Sequence, residues 1–313
     1  MDRYDTIEKL AELSVQDPEL SQYLESDVEK PPFLFQSLQQ LREMLANYPF
    51  PVPEDSEREY AFEIPMRDGH QSSIRVYEPK VRHPNRPLVV LIHGGGFCLG
   101  HNTHVGGTAQ AIVSAYNATV LSISYRFAPE FKFPVAPNDA YDTMEWIAKN
   151  AEAKFGKWLS ENKTPKITGL WLALPLVFEE AIVPAEFKHI WVSRKQNAES
   201  LIIGHKDMLY VNEIYSPDVF SADFSPFNAN GAHIGLPPTY LQVCGQDPLR
   251  DDGLIYEKVL RNHGVTTKLD VYPGLPHGFA EVLPNLKAAQ KYRLDTKNGF
   301  GWLLKQEPSS VEG

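Results

Sequence analysis

Three short stretches of the chain hold residue types that do chemistry, at spacings that suggest a shared task. The first is His93-Gly94-Gly95-Gly96-Phe97, which follows the branched apolar run Leu88-Val89-Val90-Leu91-Ile92. Three consecutive glycines at a strand end let the backbone pass close to a ligand with its N–H groups pointed outward, an arrangement that stabilises negative charge building on an oxygen. A plain strand-to-loop turn needs one or two such glycines, so Gly94, Gly95 and Gly96 are the candidate donors. The second stretch is Gly245-Gln246-Asp247-Pro248, and the third is Gly274-Leu275-Pro276-His277-Gly278-Phe279. Asp247 and His277 each stand just past an expected strand, at the edge where ligands bind in open α/β sheets. An acid and a histidine so placed suggest a pair in which Asp247 holds the imidazole and His277 serves as general base and then general acid. Singly, an Asp-Pro turn and a loop histidine are ordinary features. The chain order of glycine turn, acid and histidine is what joins them.

The elements that must position these groups follow from hydrophobic periodicity. Residues 1–50 read as helical: Pro31-Pro32 can open a helix in which Leu34, Leu38, Leu41 and Leu45 form one apolar stripe. A connector over 48–57 follows, then a β-hairpin over 60–66 and 72–77 turning at Arg67-Asp68-Gly69-His70. From Pro87 onward strands and helices alternate, the signature of a parallel sheet with crossover helices. Strands are expected over 88–92, 118–124, 167–176, 239–244 and 266–272, with helices over 108–116, 138–153, 254–262 and 286–304. The last helix has a weak point at Asn298-Gly299. Residues 177–235 carry aromatics and charge without a clear period, which inside a compact domain reads as a lid or binding insertion.

Composition bounds the class of function. A length of 313 residues with 42% hydrophobic content suits one large α/β domain with a lid. A net charge of −10 and a pI near 5.5 argue against nucleic acid or an anionic membrane as the main partner and leave small molecules. Two cysteines make no disulfide framework, and no apolar run approaches the ~18 residues of a membrane span. Met1-Asp2-Arg3-Tyr4-Asp5 lacks the features of a signal peptide, so the expected location is cytoplasmic. Cys98, His101 and His104 have a metal-like spacing, but without a fixing carboxylate they are expected to be ordinary loop residues. No metal and no cofactor are expected.

Taken together, His93-Gly94-Gly95-Gly96-Phe97, Tyr125-Arg126-Phe127-Ala128-Pro129-Glu130 with Phe133-Pro134, Gly245-Gln246-Asp247-Pro248-Leu249-Arg250-Asp251 and Pro276-His277-Gly278-Phe279 resemble the hormone-sensitive-lipase-like branch of the α/β-hydrolases. The resemblance runs from about residue 88 to 279. It implies an α/β-hydrolase fold of carboxylesterase type, with a domain over 58–313 and a cap built from residues 1–50 and the 177–235 insertion. It also implies an oxyanion role for Gly94, Gly95 and Gly96, the acid role for Asp247 and the base role for His277. The substrate would be a short-chain or aromatic ester.

One part of that pattern is missing. The family sets its nucleophile in Gly-x-Ser-x-Gly at a strained turn after the middle strand of the sheet, and no serine of this chain has glycines two residues before and after it. The stretch 157–165 looks like the tail of the helix that should follow the turn. A strand, a turn and most of a helix, about 25 residues by typical element lengths, are therefore expected to be lost between Gly156 and Lys157. Ser160 is a poor substitute because it sits in a polar tail without flanking glycines. Loss of a central strand would leave its neighbours unpaired and impair both folding and turnover. Two readings follow: an ester hydrolase whose chain omits one in-frame piece, and a non-catalytic small-molecule-binding protein on the same scaffold. Amide hydrolysis by the same machinery is a variant of the first.

Overall fold

The computed structural model describes residues 4–31, 34, 36–45, 58–83, 85–156 and 166–308. The chain opens with α1 (Ile7–Leu13), α2 (Pro18–Glu25) and α3 (Leu38–Leu45), followed by β1 (Glu59–Pro65), β2 (Gln71–Tyr77) and β3 (Leu88–Ile92). Next come α4 (Gly106–Tyr116), β4 (Thr119–Ile123), α5 (Val135–Phe155), β5 (Leu170–Ala173), α6 (Ser193–Gln196) and α7 (His205–Tyr215). The remainder is β6 (Thr239–Gln246), α8 (Arg250–Asn262), β7 (Thr267–Pro276), α9 (Phe279–Val282) and α10 (Lys287–Leu304). The described residues divide into two compact units, one within 44–168, 214–217 and 300–313, the other within 1–43, 169–213 and 218–299.

The unit holding the glycine turn is built on a sheet of order β1-β2-β4-β3. β1 and β2 form the antiparallel hairpin expected from the sequence, with Pro65 opposite Gln71. β4 pairs antiparallel with β2 and parallel with β3. All five residues of β4 are fully buried, the condition that a near-continuous apolar run signals. Ile147, Ala151 and Phe155 of α5 cover Ile64, Ile74, Val76, Leu121 and Ile123 of the sheet. β3 is an edge strand, and Ile92 at its end is 52% exposed.

The unit holding Asp247 and His277 is built on a parallel sheet of order β5-β6-β7. Leu254, Ile255, Val259 and Leu260 of α8 pack with Val243 of β6, and Leu10 of α1 joins that cluster. A second cluster joins Cys244, Tyr272, Phe279, Ala289 and Tyr292 with Leu20 of α2. The N-terminal helices thus place Leu10 and Leu20, 1% and 0% exposed, in the core of this unit. β5 is an edge strand here, as β3 is in the other sheet.

Several expectations are corrected by the structure. The strand expected over 167–176 shrinks to four residues, because Leu174 turns to a left-handed φ of 52° and Pro175 has no N–H for a ladder. The helix expected over 34–45 starts at Leu38, and Leu34 lies outside it, 1% exposed. The connector over 48–57 and the stretch 157–165 lie outside the described residues. Residues 177–235 are not wholly irregular. They hold the 11-residue α7, whose exposed Leu209 breaks the apolar period that buried Val211 would have set. α8 begins four residues before the expected 254, since Arg250, Asp251 and Asp252 are buried within it.

α10 runs unbroken through Asn298-Gly299. A Cβ on Gly299 would meet Cε1 of Tyr240 at 2.0 Å, so the glycine is a packing gap for that ring rather than a helix break. Alanine normally favours a helix over glycine by about 1 kcal/mol, whereas overpacking a filled core costs about 1–3 kcal/mol. Gly299→Ala is therefore expected to lower the urea midpoint. A raised midpoint would mean that the Tyr240 ring has room to move.

Candidate active site

The glycine turn is shaped by what its carbonyls and the His93 ring require. The Gly95 carbonyl accepts from the N–H groups of Cys98 and Leu99, both at 3.1 Å. The Tyr125 hydroxyl donates to the His93 carbonyl at 3.0 Å. With the carbonyls tied back, the N–H groups of Gly94, Gly95 and Gly96 meet no acceptor among the described residues. Gly95 has a φ of 129°, and a Cβ there would lie 1.9 Å from the Leu99 carbonyl oxygen, so only glycine fits. Phe97 is also left-handed, with φ 60°, and its ring stacks on Tyr215 at 4.1 Å. His93 is buried against Tyr125, ring to ring at 4.5 Å. Burial pushes its pKa down to about 4, so it stays neutral and serves as a packing element of the turn.

The tyrosine and arginine of the Tyr125-Arg126-Phe127-Ala128-Pro129-Glu130 motif support this turn. Arg126 makes a two-pronged contact with Asp139, which is 0% exposed, through Nε at 2.9 Å and Nη2 at 2.7 Å. That contact pins the segment after β4 to α5, and Tyr125 then reaches the glycine turn.

In the other unit, β6 ends at Gln246 and α8 starts at Arg250, leaving Asp247 in the turn between them. Its carboxylate is 1% exposed and accepts from the Leu249 N–H at 2.7 Å through Oδ1. Oδ2 lies 2.8 Å from Nδ1 of His277, which follows the end of β7. The two sequence-predicted residues are thus in direct contact, thirty positions apart in the chain. The His277 side chain keeps 22% exposure, and its Nε2 meets no partner among the described residues. With Nδ1–H donating its hydrogen bond to the carboxylate, Nε2 presents the lone pair that a general base uses. Burial opposes charging this imidazole. The Asp247 carboxylate, its hydrogen bond and the Glu281 carboxylate outweigh burial and Arg194 and hold the pKa above the ordinary 6.5.

Cys98 is 1% exposed, and among the described residues no group of three His, Cys, Asp or Glu side chains is placed to hold a metal ion. Nor is any described helix long and apolar enough to cross a membrane. Ser160 lies outside the described residues. Sequence reasoning did not find the side chains that hold the Asp247 turn, Ser193, Asn197 and Ser200. They fall in the aperiodic insertion, where no local pattern marks them.

The sequence profile of the α/β-hydrolase fold matches residues 89–161 and 153–281. An AB hydrolase superfamily protein of Schizosaccharomyces pombe is 33% identical over 290 residues, covering 85% of each chain. Carboxylesterase NlhH of Mycobacterium tuberculosis is 30% identical, over 67% of this chain and 73% of its own. Among solved structures, vibralactone cyclase superposes with a TM-score of 0.80 at 26% identity, covering 94% of this chain and 96% of its own. The chain belongs to the α/β-hydrolase fold family, in its hormone-sensitive-lipase-like branch of esterase-type hydrolases.

The raised His277 pKa has a direct check. With Asp247→Asn the raising carboxylate is gone and burial remains, so the His277 midpoint, read by histidine NMR titration, should fall from above about 6.5 to below it. A midpoint unmoved by the substitution would mean that the carboxylate does not hold the ring.

Proposed function

We propose that this chain carries the oxyanion turn and the acid–base pair of a carboxylic-ester hydrolase and lacks the segment bearing its nucleophile. The observation that carries this reading is the 2.8 Å contact of a buried Asp247 with a His277 whose second nitrogen meets no partner among the described residues. A carboxylate so buried has no reason to face an imidazole in this way unless the ring's proton and orientation matter. In the reaction, His277 Nε2 would take the proton of an attacking hydroxyl and return it to the leaving alcohol. Asp247 would steady the imidazolium formed between those steps. The N–H groups of Gly94, Gly95 and Gly96 would receive the negative charge that develops on the acyl oxygen. A small ester, short-chain or aromatic, is the proposed substrate.

Two observations support the missing segment. The family match breaks into two parts that meet at 153–161, around the Gly156-Lys157 junction. Among the described residues, β3 and β5 also lack a ladder partner on their outer sides, which leaves each an edge that a further strand can pair. Without a nucleophile no acyl-enzyme forms, and turnover falls by about a millionfold. The absence of any Gly-x-Ser-x-Gly favours a second reading, a non-catalytic small-molecule binder on the same scaffold.

The test begins with the gene across codons 156 and 157. We expect an in-frame stretch encoding a strand, Gly-x-Ser-x-Gly and a helix. The longer chain should hydrolyse p-nitrophenyl butyrate and react with a fluorophosphonate, with the present chain slower by at least about 10⁴-fold. A gene without that stretch, or a longer chain inert towards both aliphatic and aromatic esters, would remove the hydrolase reading in favour of the binder.

A further inference from the structure

The geometry points to Asn197 as the positioning residue for Asp247, acting through the backbone of the turn that carries the carboxylate. The inference rests on the proposed role of the Asp247–His277 pair, and its test reads the pair itself rather than turnover.

The turn from Gly245 to Pro248 offers four carbonyl oxygens, and side chains from residues 193–200 donate to all of them. Asn197 Nδ2 donates to the Gly245 carbonyl at 3.1 Å and to the Asp247 carbonyl at 2.9 Å. The Ser200 hydroxyl donates to the Gln246 carbonyl. The Ser193 hydroxyl and Arg194 Nη1 donate to the Pro248 carbonyl, each at 2.7 Å. One amide nitrogen carries two hydrogens, and Asn197 spends both on the carbonyls that flank Gln246. Serine at this position has one donor, aspartate none, and glutamine places its amide a methylene too far.

The grip is effective because the gripping segment is itself fixed. Asn197 is 5% exposed, its N–H donates to Ser193 O at 2.9 Å, and its carbonyl accepts from Ser200 N at 3.1 Å. Asp251 accepts from the N–H groups of Val192 and Ser193, both at 2.6 Å. Asp252 accepts from Val177 and Phe178 N–H groups at 2.9 and 3.0 Å and from Trp191 Nε1 at 3.0 Å. The insertion is thereby anchored at the start of α8, beside the turn it holds. A loosened turn would let the Asp247 carboxylate swing from the 2.8 Å contact, since Leu249 N–H is the other bond at that carboxylate.

The experiment follows the His277 midpoint by histidine NMR titration of the full chain, with His277→Gln identifying the resonance. The charged groups facing His277 are Asp247, Glu281 and Arg194, and none is altered. Asn197→Ala is expected to lower the midpoint by about one pH unit, as contact with the carboxylate weakens and burial prevails. Thr296→Val removes a buried hydroxyl bonded to Gln242 Oε1 and Tyr292 O in the same unit. It should lower the melting temperature and leave the His277 midpoint in place, which separates positioning from general loss of stability. An unchanged midpoint in folded Asn197→Ala overturns the inference, as does an equal shift in Thr296→Val. Should Asn197→Ala fail to fold, Asn197→Ser, with one donor in place of two, takes its place: a smaller downward shift supports the clamp, and no shift overturns it. A failed esterase assay leaves these readouts untouched.

Discussion

A carboxylate taken out of water must be met by donors, and the junction of β6 and α8 has to satisfy that demand several times over. Asp247, Asp251, Asp252 and Arg250 are each 0–1% exposed within six consecutive positions. An uncompensated buried charge would cost several kcal/mol, a large part of the ~5–15 kcal/mol by which a domain is stable. Each charge here is therefore matched. Arg250 donates to Asp251, to the carbonyl of Leu10 and to Ser14 and Gln196. Asp251 and Asp252 collect backbone N–H groups from the insertion. Asp247 takes Leu249 N–H and the His277 ring. Satisfying these charges draws α1, the insertion and α8 to one place, and the rigidity of the candidate acid follows from it.

The glycine turn obeys a different constraint. Its N–H groups meet no acceptor among the described residues, while its carbonyls are occupied and its φ angles are unusual. Gly95 at φ 129° and Phe97 at φ 60° are held by Leu99, Tyr125 and the Tyr215 ring. His93, neutral because burial drives off its proton, fills the space beneath without adding charge beside the free N–H groups.

The two sheets carry the parallel pairing of the α/β-hydrolase fold. β3 pairs parallel with β4, β5 with β6 and β6 with β7, the last with a register shift between Cys244 and Gln246, and helices cover both faces of the second sheet. Each sheet ends on a strand, β3 or β5, whose outer backbone groups have no ladder partner among the described residues.

The periodicity of the chain alone located β1 to β4, β6, β7, α4, α5 and α10 to within a few residues, because those elements bury one face or both and their side chains record it. Spacing also paired Asp247 with His277, since chemistry restricts which residue types stand at strand ends. The weak spots were those where tertiary contacts override local pattern. Leu209 of α7 is exposed and hid a helix, buried charges concealed the first turn of α8, and Tyr240 made a helix glycine look like a break. The roles of Asn197 and Ser200 belong wholly to the tertiary structure. A side-chain amide that grips carbonyls 48 and 50 positions away leaves no periodic trace in the sequence, because its partners are backbone atoms that every residue possesses.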